Sequence, residues 1–387
     1  MESGARRAFA DWSNETTRSD HWHDDNARGD ISHGGNTLRI VAIPLADGGE
    51  GTVEAFVRGA GATLHRATVR GPMSTHVQAQ WAVLPDGAAV LEMAQASGLT
   101  LVPPRERDAT RASSFGTGEL IRAALDAGCR KIILGIGGSA STDGGAGALQ
   151  ALGARFLNVK GHELAPGGLA LRDLSEIDTS ALDARLARCE LEVLCDVSNP
   201  LCGPRGAARI YGPQKGASSD EVALLDDALH RYARCMSTHV ARDWSAEAGA
   251  GAAGGIGFGL LSLANARLVP GIEAILGATN FERQLESVDL VLTGEGAIDA
   301  QTLNGKTVLG IARAARNAKK GCGVPVVAFG GMVKLSGAQL HRAGISAAFA
   351  ICDAPMPLAQ SIARGEELLA NATEHALRLW LCGRARA

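Results

Sequence analysis

Five acidic residues lie directly beside glycine-rich loops in this sequence, where carboxylates are well placed to do chemistry. They are Asp47, Asp143, Asp196, Glu295 and Asp299. A carboxylate at the end of a strand can bind Mg²⁺ or take a proton from an attacking hydroxyl. The same side chain also suits a helix or turn cap, so residue type alone leaves both interpretations open.

The segment LGIGGSASTDGGAG, residues 134–147, is the strongest local motif. Its small residues leave consecutive backbone N–H groups uncovered ahead of a predicted helix, and such a concave run of amides binds phosphate. A tight turn in a crowded core is the alternative. Gly135, Gly137 and Ala140 also satisfy a dinucleotide fingerprint, but the acid expected about 20 residues later on a second strand is missing.

Two lysines follow glycine or precede it in comparable loops. Lys215 lies in YGPQKGA, and Lys306 lies in AQTLNGKT, which resembles a Walker A loop except that Ala300 replaces the first glycine and no strand directly precedes it. Amides for phosphate, acids for Mg²⁺ and lysines for charge are the parts that phosphoryl transfer needs. The sequence therefore favours a kinase.

Composition excludes several other classes. The 387 residues predict two domains, and a net charge of −3 offers no basic surface for nucleic acid or anionic lipid. Eight cysteines without a C-x-x-C pair indicate reduced thiols and a cytoplasmic protein. The uncharged stretch 248–266 is rich in glycine and lacks flanking aromatic residues, which favours a buried loop leading into a helix over a membrane span.

Apolar runs that end in glycine predict buried strands whose carboxyl ends open into loops. The runs are LRIVAIPLADGG, KIILGIGGSA, LEVLCDV, VDLVLTGEG, VPVVAFGG and AAFAICDAP. Amphipathic segments at 117–130, 307–320 and 358–381 predict helices between and after them. Alternating strands and helices indicate parallel sheet, in which ligands bind beyond the carboxyl ends of the strands.

The segment 71–101 differs, because apolar and polar residues alternate around the turn Pro85-Asp86-Gly87 and predict an antiparallel hairpin. This change marks entry into a second domain, and the strand and helix series after Ser287 returns to the first. We predict a polar, disordered tail at 1–37, a discontinuous domain formed by 38–71 and 287–387, and an inserted domain at 72–286.

A series of long motifs across residues 37–387 resembles the type I glycerate kinase family. The motifs are PLADGGEGT, EMAQASGL, SSFGTGELI, GIGGSASTDGGAGALQALG, CDVSNPLCGPRGAA, YGPQKGA, GGIGFGL and LTGEGAIDAQT. The resemblance implies ATP-dependent phosphorylation of D-glycerate, favouring the 2-hydroxyl. It also implies an α/β fold of two α/β domains, in which a discontinuous Rossmann-like parallel-sheet domain is interrupted by a second mixed α/β domain.

Carried over to matching positions, the resemblance assigns three groups of site residues. The catalytic group is Asp196, Asp47 and Lys306, with Asp196 as the base or the group that orients the hydroxyl. The cofactor-binding group is Gly137, Gly138, Ser139, Asp143, Lys215, Gly254 and Gly255. The metal-binding group is Glu295 and Asp299. The cofactors implied are ATP and Mg²⁺. The implied partner is the small molecule D-glycerate, with no nucleic acid or membrane, and a homo-oligomer stays open.

The sequence also departs from the family pattern. Residues 1–37 contain no Asp-Ser-Phe-Lys-Gly-like motif, Ala297 stands where arginine is common, and Ser198 stands where an acid is frequent. Loss of a positive group from a phosphoryl-transfer site weakens charge stabilisation. The alternative function is therefore a catalytically impaired homologue that binds glycerate or nucleotide.

Overall fold

The computed structural model describes residues 1, 3–5, 7–8, 23–25, 30–33, 36–46, 48–300, 302–304 and 307–384. The chain divides into two compact units. We call residues 44–279 the continuous unit, and residues 1–43 together with 280–387 the split unit.

The first strands of the split unit are short and antiparallel. They are β1 (His23–Asp25), β2 (Asp30–His33) and β3 (Asn36–Leu38). Strands β1 and β2 lie inside the segment 1–37, for which composition predicted disorder, and β3 crosses its end. Residues 9–22 lie outside the described residues. The strand predicted for LRIVAIPLADGG is wrong beyond Leu38, since residues 39–46 have no regular secondary structure and no described strand pairs with them.

The continuous unit is built around a mixed sheet with the strand order β11–β10–β7–β6–β5–β4. Its elements are, in chain order, α1 (Thr52–Ala60), β4 (Thr63–Arg70), β5 (His76–Val83), β6 (Ala89–Glu92), α2 (Met93–Ser97), α3 (Phe115–Asp126), β7 (Lys131–Gly135), α4 (Ala146–Ala151), β8 (Arg155–Leu157), β9 (Glu176–Asp178), β10 (Glu190–Leu194), α5 (Ala207–Tyr211), α6 (Ser219–Val240), α7 (Ala252–Leu263), β11 (Arg267–Val269) and α8 (Gly271–Ala278). The predicted hairpin is confirmed as β5 and β6, in which Trp81 pairs with Leu91. The glycine loop and helix predicted for 248–266 are confirmed as α7 and the turns before it.

The parallel strands β6, β7 and β10 end at the same level of this sheet. Gly135, the last residue of β7, is in register with Glu92 on one side and with Leu194 on the other. Most residues of the three strands are apolar and buried, as expected for parallel strands in the interior of a sheet. The loops that follow them therefore open at one edge, where α/β proteins bind ligands.

The split unit continues with a parallel sheet in the order β12–β13–β14. Its elements are α9 (Phe281–Leu285), β12 (Val291–Ile298), α10 (Thr307–Asn317), β13 (Val326–Val333), α11 (Gly337–Ala343), β14 (Ala347–Ala350), α12 (Leu358–Ala363) and α13 (Gly365–Arg384). The helix predicted for 358–381 is interrupted at Arg364, where α12 ends. None of the described helices combines the length and apolar character needed to cross a bilayer.

The contact-based division falls at 43/44 and 279/280, whereas the sequence predicted boundaries at 71/72 and 286/287. The first difference has a simple cause. Strand β4 pairs with β5 along its whole length, from Thr63 opposite Val83 to Arg70 opposite His76, so it belongs with the sheet of the continuous unit.

Candidate functional site

A cavity of about 240 Å³ lies at the carboxyl edge of the sheet in the continuous unit. It is lined by Gly48 and Gly49 before α1, by residues 136–139 after β7 and by residues 194–197 at the end of β10. Leu99, Tyr211, Gln214, Lys215, Ala252 and Ala253 complete the lining. Five of the predicted site residues therefore meet in one cavity: Gly137, Gly138, Ser139, Asp196 and Lys215.

The glycine loop after β7 is held by backbone hydrogen bonds on both sides. On one side, the Gly137 N–H donates to the Gly48 carbonyl at 3.0 Å. On the other, Leu99 N–H donates to the Gly138 carbonyl at 2.7 Å, and Ala140 N–H donates to the Ser97 carbonyl at 2.9 Å. The N–H groups of Gly138 and Ser139 have no acceptor within the described part of the chain, so a bound anion could accept hydrogen bonds from both.

Gly137 is required by close packing. A Cβ atom at this position would lie 2.6 Å from the Cα of Gly49, well inside van der Waals contact. Two glycine loops from different parts of the sequence thus touch through bare backbone, and any side chain here would push them apart.

Lys215 is a completely buried lysine that borders the cavity. Its Nζ donates to Ser139 Oγ at 2.7 Å and to the Ser141 carbonyl at 2.6 Å. Burial lowers the pKa of Lys215 to about 7, and the negative charge of Asp143 opposes this shift. No carboxylate within the described ranges forms an ion pair with this amine, so an anion in the cavity would supply the missing counter-charge.

Asp196 follows β10 and brings a half-buried carboxylate to the cavity. Its Oδ1 accepts a hydrogen bond from the N–H of Gly271, the first residue of α8, at 2.9 Å. Nearby, Tyr211 Oη donates to Asn199 Oδ1 at 2.8 Å, which fixes the tyrosine ring at the rim. Asp196 thus caps the amino end of α8, one of the two roles that the sequence left open, and it also lines the cavity.

Asp143 lies behind the cavity rather than in its lining. Its carboxylate is fully buried and accepts hydrogen bonds from the N–H and Oγ of Ser114, from Ser113 Oγ, and from the N–H groups of Gly145 and Gly147. Burial raises the pKa of Asp143, and these donors work in the opposite direction. The contacts join the start of α3 to the start of α4 and shape the loop from behind.

Replacing Asp143 with asparagine is expected to destabilise the protein by about 2 kcal/mol or more, because an amide NH₂ would face several of the present donors and leave buried groups unpaired. Chemical denaturation followed by circular dichroism measures this. Asp86→Asn is the matched control, since among the described residues Asp86 accepts a hydrogen bond only from the Ala88 N–H, in an exposed turn. Equal unfolding midpoints for the two variants would contradict the role of Asp143.

Gly254 and Gly255 also lie behind the loop, at positive φ angles of 77° and 92°. The Gly254 carbonyl accepts a hydrogen bond from the Gly144 N–H at 2.9 Å, and the preceding residues Ala252 and Ala253 reach the cavity. The predicted cofactor contacts of the two glycines stay a prediction. Asp47 and Lys306 lie outside the described residues.

In the split unit, Glu295 and Asp299 are linked by one buried hydroxyl. Thr302 Oγ donates to Glu295 Oε1 at 2.5 Å and accepts the Asp299 backbone N–H at 3.1 Å. Thr302 is completely buried, so the turn after β12 holds both acids in a defined arrangement. Carboxylate oxygens of this kind are suitable ligands for Mg²⁺.

Leu99, Tyr211 and Gln214 line the cavity although the sequence motifs that contain them predicted no role for these three residues. Leu99 is positioned by the bridge between Gly98 and Ser139, and Tyr211 by its bond to Asn199. Pairings of this kind join segments that are far apart in sequence. The one feature of the sequence that could have indicated a role for these residues is their position inside long glycine-containing motifs.

Comparison with known proteins gives consistent matches across most of the chain. A family model described as the glycerate kinase family matches residues 26–381. The chain is 45% identical over 328 residues to the glycerate kinase of Bacillus subtilis (strain 168), covering 84% of this chain and 85% of the relative. It is 45% identical over 314 residues to the glycerate 2-kinase of Escherichia coli (strain K12), covering 81% of each.

The fold also has a solved counterpart. A crystal structure from Salmonella typhimurium LT2, assigned there to glycerate kinase 2, matches with a TM-score of 0.76 and 42% identity, covering 89% of each chain. The predicted fold class of two α/β domains is confirmed by this likeness.

Proposed function

Because the chain belongs to the glycerate kinase family, we propose that it transfers the γ-phosphoryl group of ATP to D-glycerate, preferentially at the 2-hydroxyl. The observation that supports this most directly is the buried Lys215 beside Ser139, at a loop whose Gly138 and Ser139 amides are open to an anion. A phosphoryl group needs this combination of fixed amides and positive charge.

In this proposal, different residues of the cavity bind the phosphoryl group and handle the proton of the attacking hydroxyl. The amides of Gly138 and Ser139 and the Lys215 ammonium bind the phosphoryl group and balance its charge. Asp196 accepts or orients the proton of the attacking hydroxyl, as a carboxylate within hydrogen-bond reach can. Asp143, Gly254 and Gly255 support nucleotide binding by holding the loop from behind.

We assign Mg²⁺ to Glu295 and Asp299, whose carboxylates fit the oxygen ligands that this ion prefers. Mg²⁺ bound by these carboxylates would supply positive charge, as phosphoryl transfer requires. Thr302 keeps Glu295 oriented through its hydroxyl. Asp47 and Lys306 are assigned to substrate and phosphate contacts on sequence grounds. We further propose a cytoplasmic enzyme with a small-molecule substrate that binds neither nucleic acid nor membrane; a homo-oligomer is compatible with this.

A coupled assay tests the proposal directly. Purified protein is incubated with ATP, Mg²⁺ and D-glycerate, ADP release is followed, and enolase is added in parallel because it converts only 2-phosphoglycerate to phosphoenolpyruvate. We expect ADP release with an immediate enolase signal. ADP release without that signal would exclude the 2-hydroxyl as acceptor. Calorimetric binding of ATP or glycerate without turnover would favour the impaired homologue instead.

Replacing Gly137 with alanine is expected to reduce kcat/KM by roughly 10-fold to 100-fold, since the added Cβ displaces the Gly48–Gly49 turn and misplaces the amides. Initial rates at several substrate concentrations provide the measurement. Gly277→Ala is the control, because a Cβ there meets nothing within 4 Å. If Gly137→Ala retained the wild-type kcat/KM, the glycine loop would not be the phosphate site.

A further inference from the structure

Glu92 is a buried carboxylate at the end of β6, only 2% exposed, and the roles above do not use it. Its Oε1 accepts a hydrogen bond from the Val53 N–H at 2.5 Å. Val53 is the second residue of α1, whose first N–H groups have no partner inside the helix. Glu92 therefore binds the amino end of α1 from the neighbouring strand, and the helix dipole favours a negative charge at this place.

The residue connects the elements that hold the glycine loop. Glu92 is in register with Gly135 at the end of β7, and it directly precedes α2. The segment after α2 then hydrogen bonds to Gly138, and the turn before α1 hydrogen bonds to Gly137 through the Gly48 carbonyl. The glycine loop is therefore bonded on one side to the turn before α1, the helix that Glu92 contacts, and on the other side to the segment after α2, the helix that directly follows Glu92.

Two features indicate that a carboxylate at this place is kept for positioning. Its second oxygen, Oε2, is buried and has no hydrogen-bond partner among the described residues, which is an energetic cost. Burial raises the pKa of Glu92, while the Val53 N–H, the Gln95 side chain and the Gly51 N–H oppose the shift. An apolar residue would avoid this cost but would leave the amino end of α1 without its acceptor.

We propose that Glu92 is a positioning residue that fixes the turn Gly48–Gly51 and, through the Gly48 carbonyl bonded to Gly137, the phosphate-binding amides of Gly138 and Ser139. This inference rests on the proposed function for its kinetic consequence. It also has a structural consequence, which is that an acid outside the cavity orders the glycine loop. This consequence does not depend on which reaction the protein catalyses.

The test compares Glu92→Met with Glu92→Gln and with the matched control Glu119→Met. Glu119 also accepts a backbone N–H, that of Arg70 at 2.6 Å, but within the described part of the chain it bonds to neither glycine loop. Methionine removes the acceptor at similar length, whereas glutamine retains an acceptor oxygen. We expect Glu92→Met to lower kcat/KM by about 10-fold or more, Glu92→Gln to stay within about threefold of wild type, and Glu119→Met to leave kcat/KM unchanged.

Hydrogen–deuterium exchange followed by mass spectrometry provides a readout that does not depend on activity. Glu92→Met is expected to increase exchange in peptides covering both 48–56 and 134–140, and Glu119→Met in neither. Faster exchange in 48–56 alone, or a kcat/KM for Glu92→Met within twofold of wild type, would overturn the proposal. If Glu92→Met does not fold, Glu92→Asp, which withdraws the acceptor by one methylene, is held to the same two criteria.

Failure of the proposed function and failure of the inference on Glu92 would give different results. Absence of kinase activity in the wild-type protein would refute the proposed function, and the exchange experiment would still decide the role of Glu92.

Discussion

Asp196→Asn is expected to lower kcat by about 10²-fold to 10⁴-fold while substrate binding changes little. Asparagine has nearly the same shape and can still accept the Gly271 N–H through its amide oxygen, so the start of α8 stays in place. What it loses is the negative charge and basicity that a group accepting the hydroxyl proton requires. The deficit should therefore appear in kcat more than in the affinity for D-glycerate or ATP.

Steady-state rates give kcat, and calorimetry with D-glycerate gives binding in the absence of turnover. Asp178→Asn is the matched control, because Asp178 also ends a strand and accepts a nearby backbone N–H, that of Ser180 at 2.9 Å. We expect this control to retain the wild-type rate. A kcat for Asp196→Asn within threefold of wild type would remove Asp196 from the proton-transfer role and leave it as a cap of α8.

The sequence was most informative where one local pattern determines one local structure. The run KIILG followed by small residues predicted a buried strand opening into a loop, and the structure has β7 and the loop at 136–145. The turn Pro85-Asp86-Gly87 predicted a hairpin for the same reason, since turn chemistry acts within a few residues. The family prediction, which rested on many such motifs in order, is confirmed.

Prediction was weaker where the outcome depends on partners distant in sequence. The apolar run after Leu38 reads as a strand, yet pairing decides whether a strand forms, and residues 39–46 have no described partner. The resemblance implied that Asp143 binds the cofactor, which stays a prediction, but it gave no indication of the partners that bury this carboxylate. Its burial behind the loop depends on Ser113 and Ser114, which come from the start of α3 about thirty positions earlier in the sequence.

Lys215 illustrates both cases. The motif YGPQKGA placed it in a glycine-containing loop, and the resemblance implied a cofactor contact, but the motif could not indicate that the whole side chain is buried. Burial changes its chemistry, because an amine removed from water holds its proton less firmly. The charged form of the amine is thus disfavoured in the free protein, which supports the proposal that an anionic ligand binds beside it.

Lys215→Met is expected to lower kcat/KM by about 10²-fold to 10³-fold, since it removes a preorganised positive charge from the phosphoryl site. Lys160→Met, at an exposed lysine, should leave the rate unchanged. Calorimetry with ATP should show weaker binding in the cavity variant alone. Wild-type kinetics in Lys215→Met would exclude Lys215 from phosphate binding.

The pH dependence of the same variant provides a second and independent test. The pKa of Lys215 is lowered to about 7, so the amine of the free protein loses its charge as the pH rises from 7 to 9, and the wild-type affinity for ATP should fall over this range while that of Lys215→Met stays flat. Stability should change in the opposite direction. The unfolded chain binds more protons than the folded one between pH 7 and the ordinary lysine pKa near 10.4, so the wild type should gain stability relative to Lys215→Met as the pH rises from 7 to 10. Parallel stability curves for the two proteins would mean that the amine keeps its ordinary pKa.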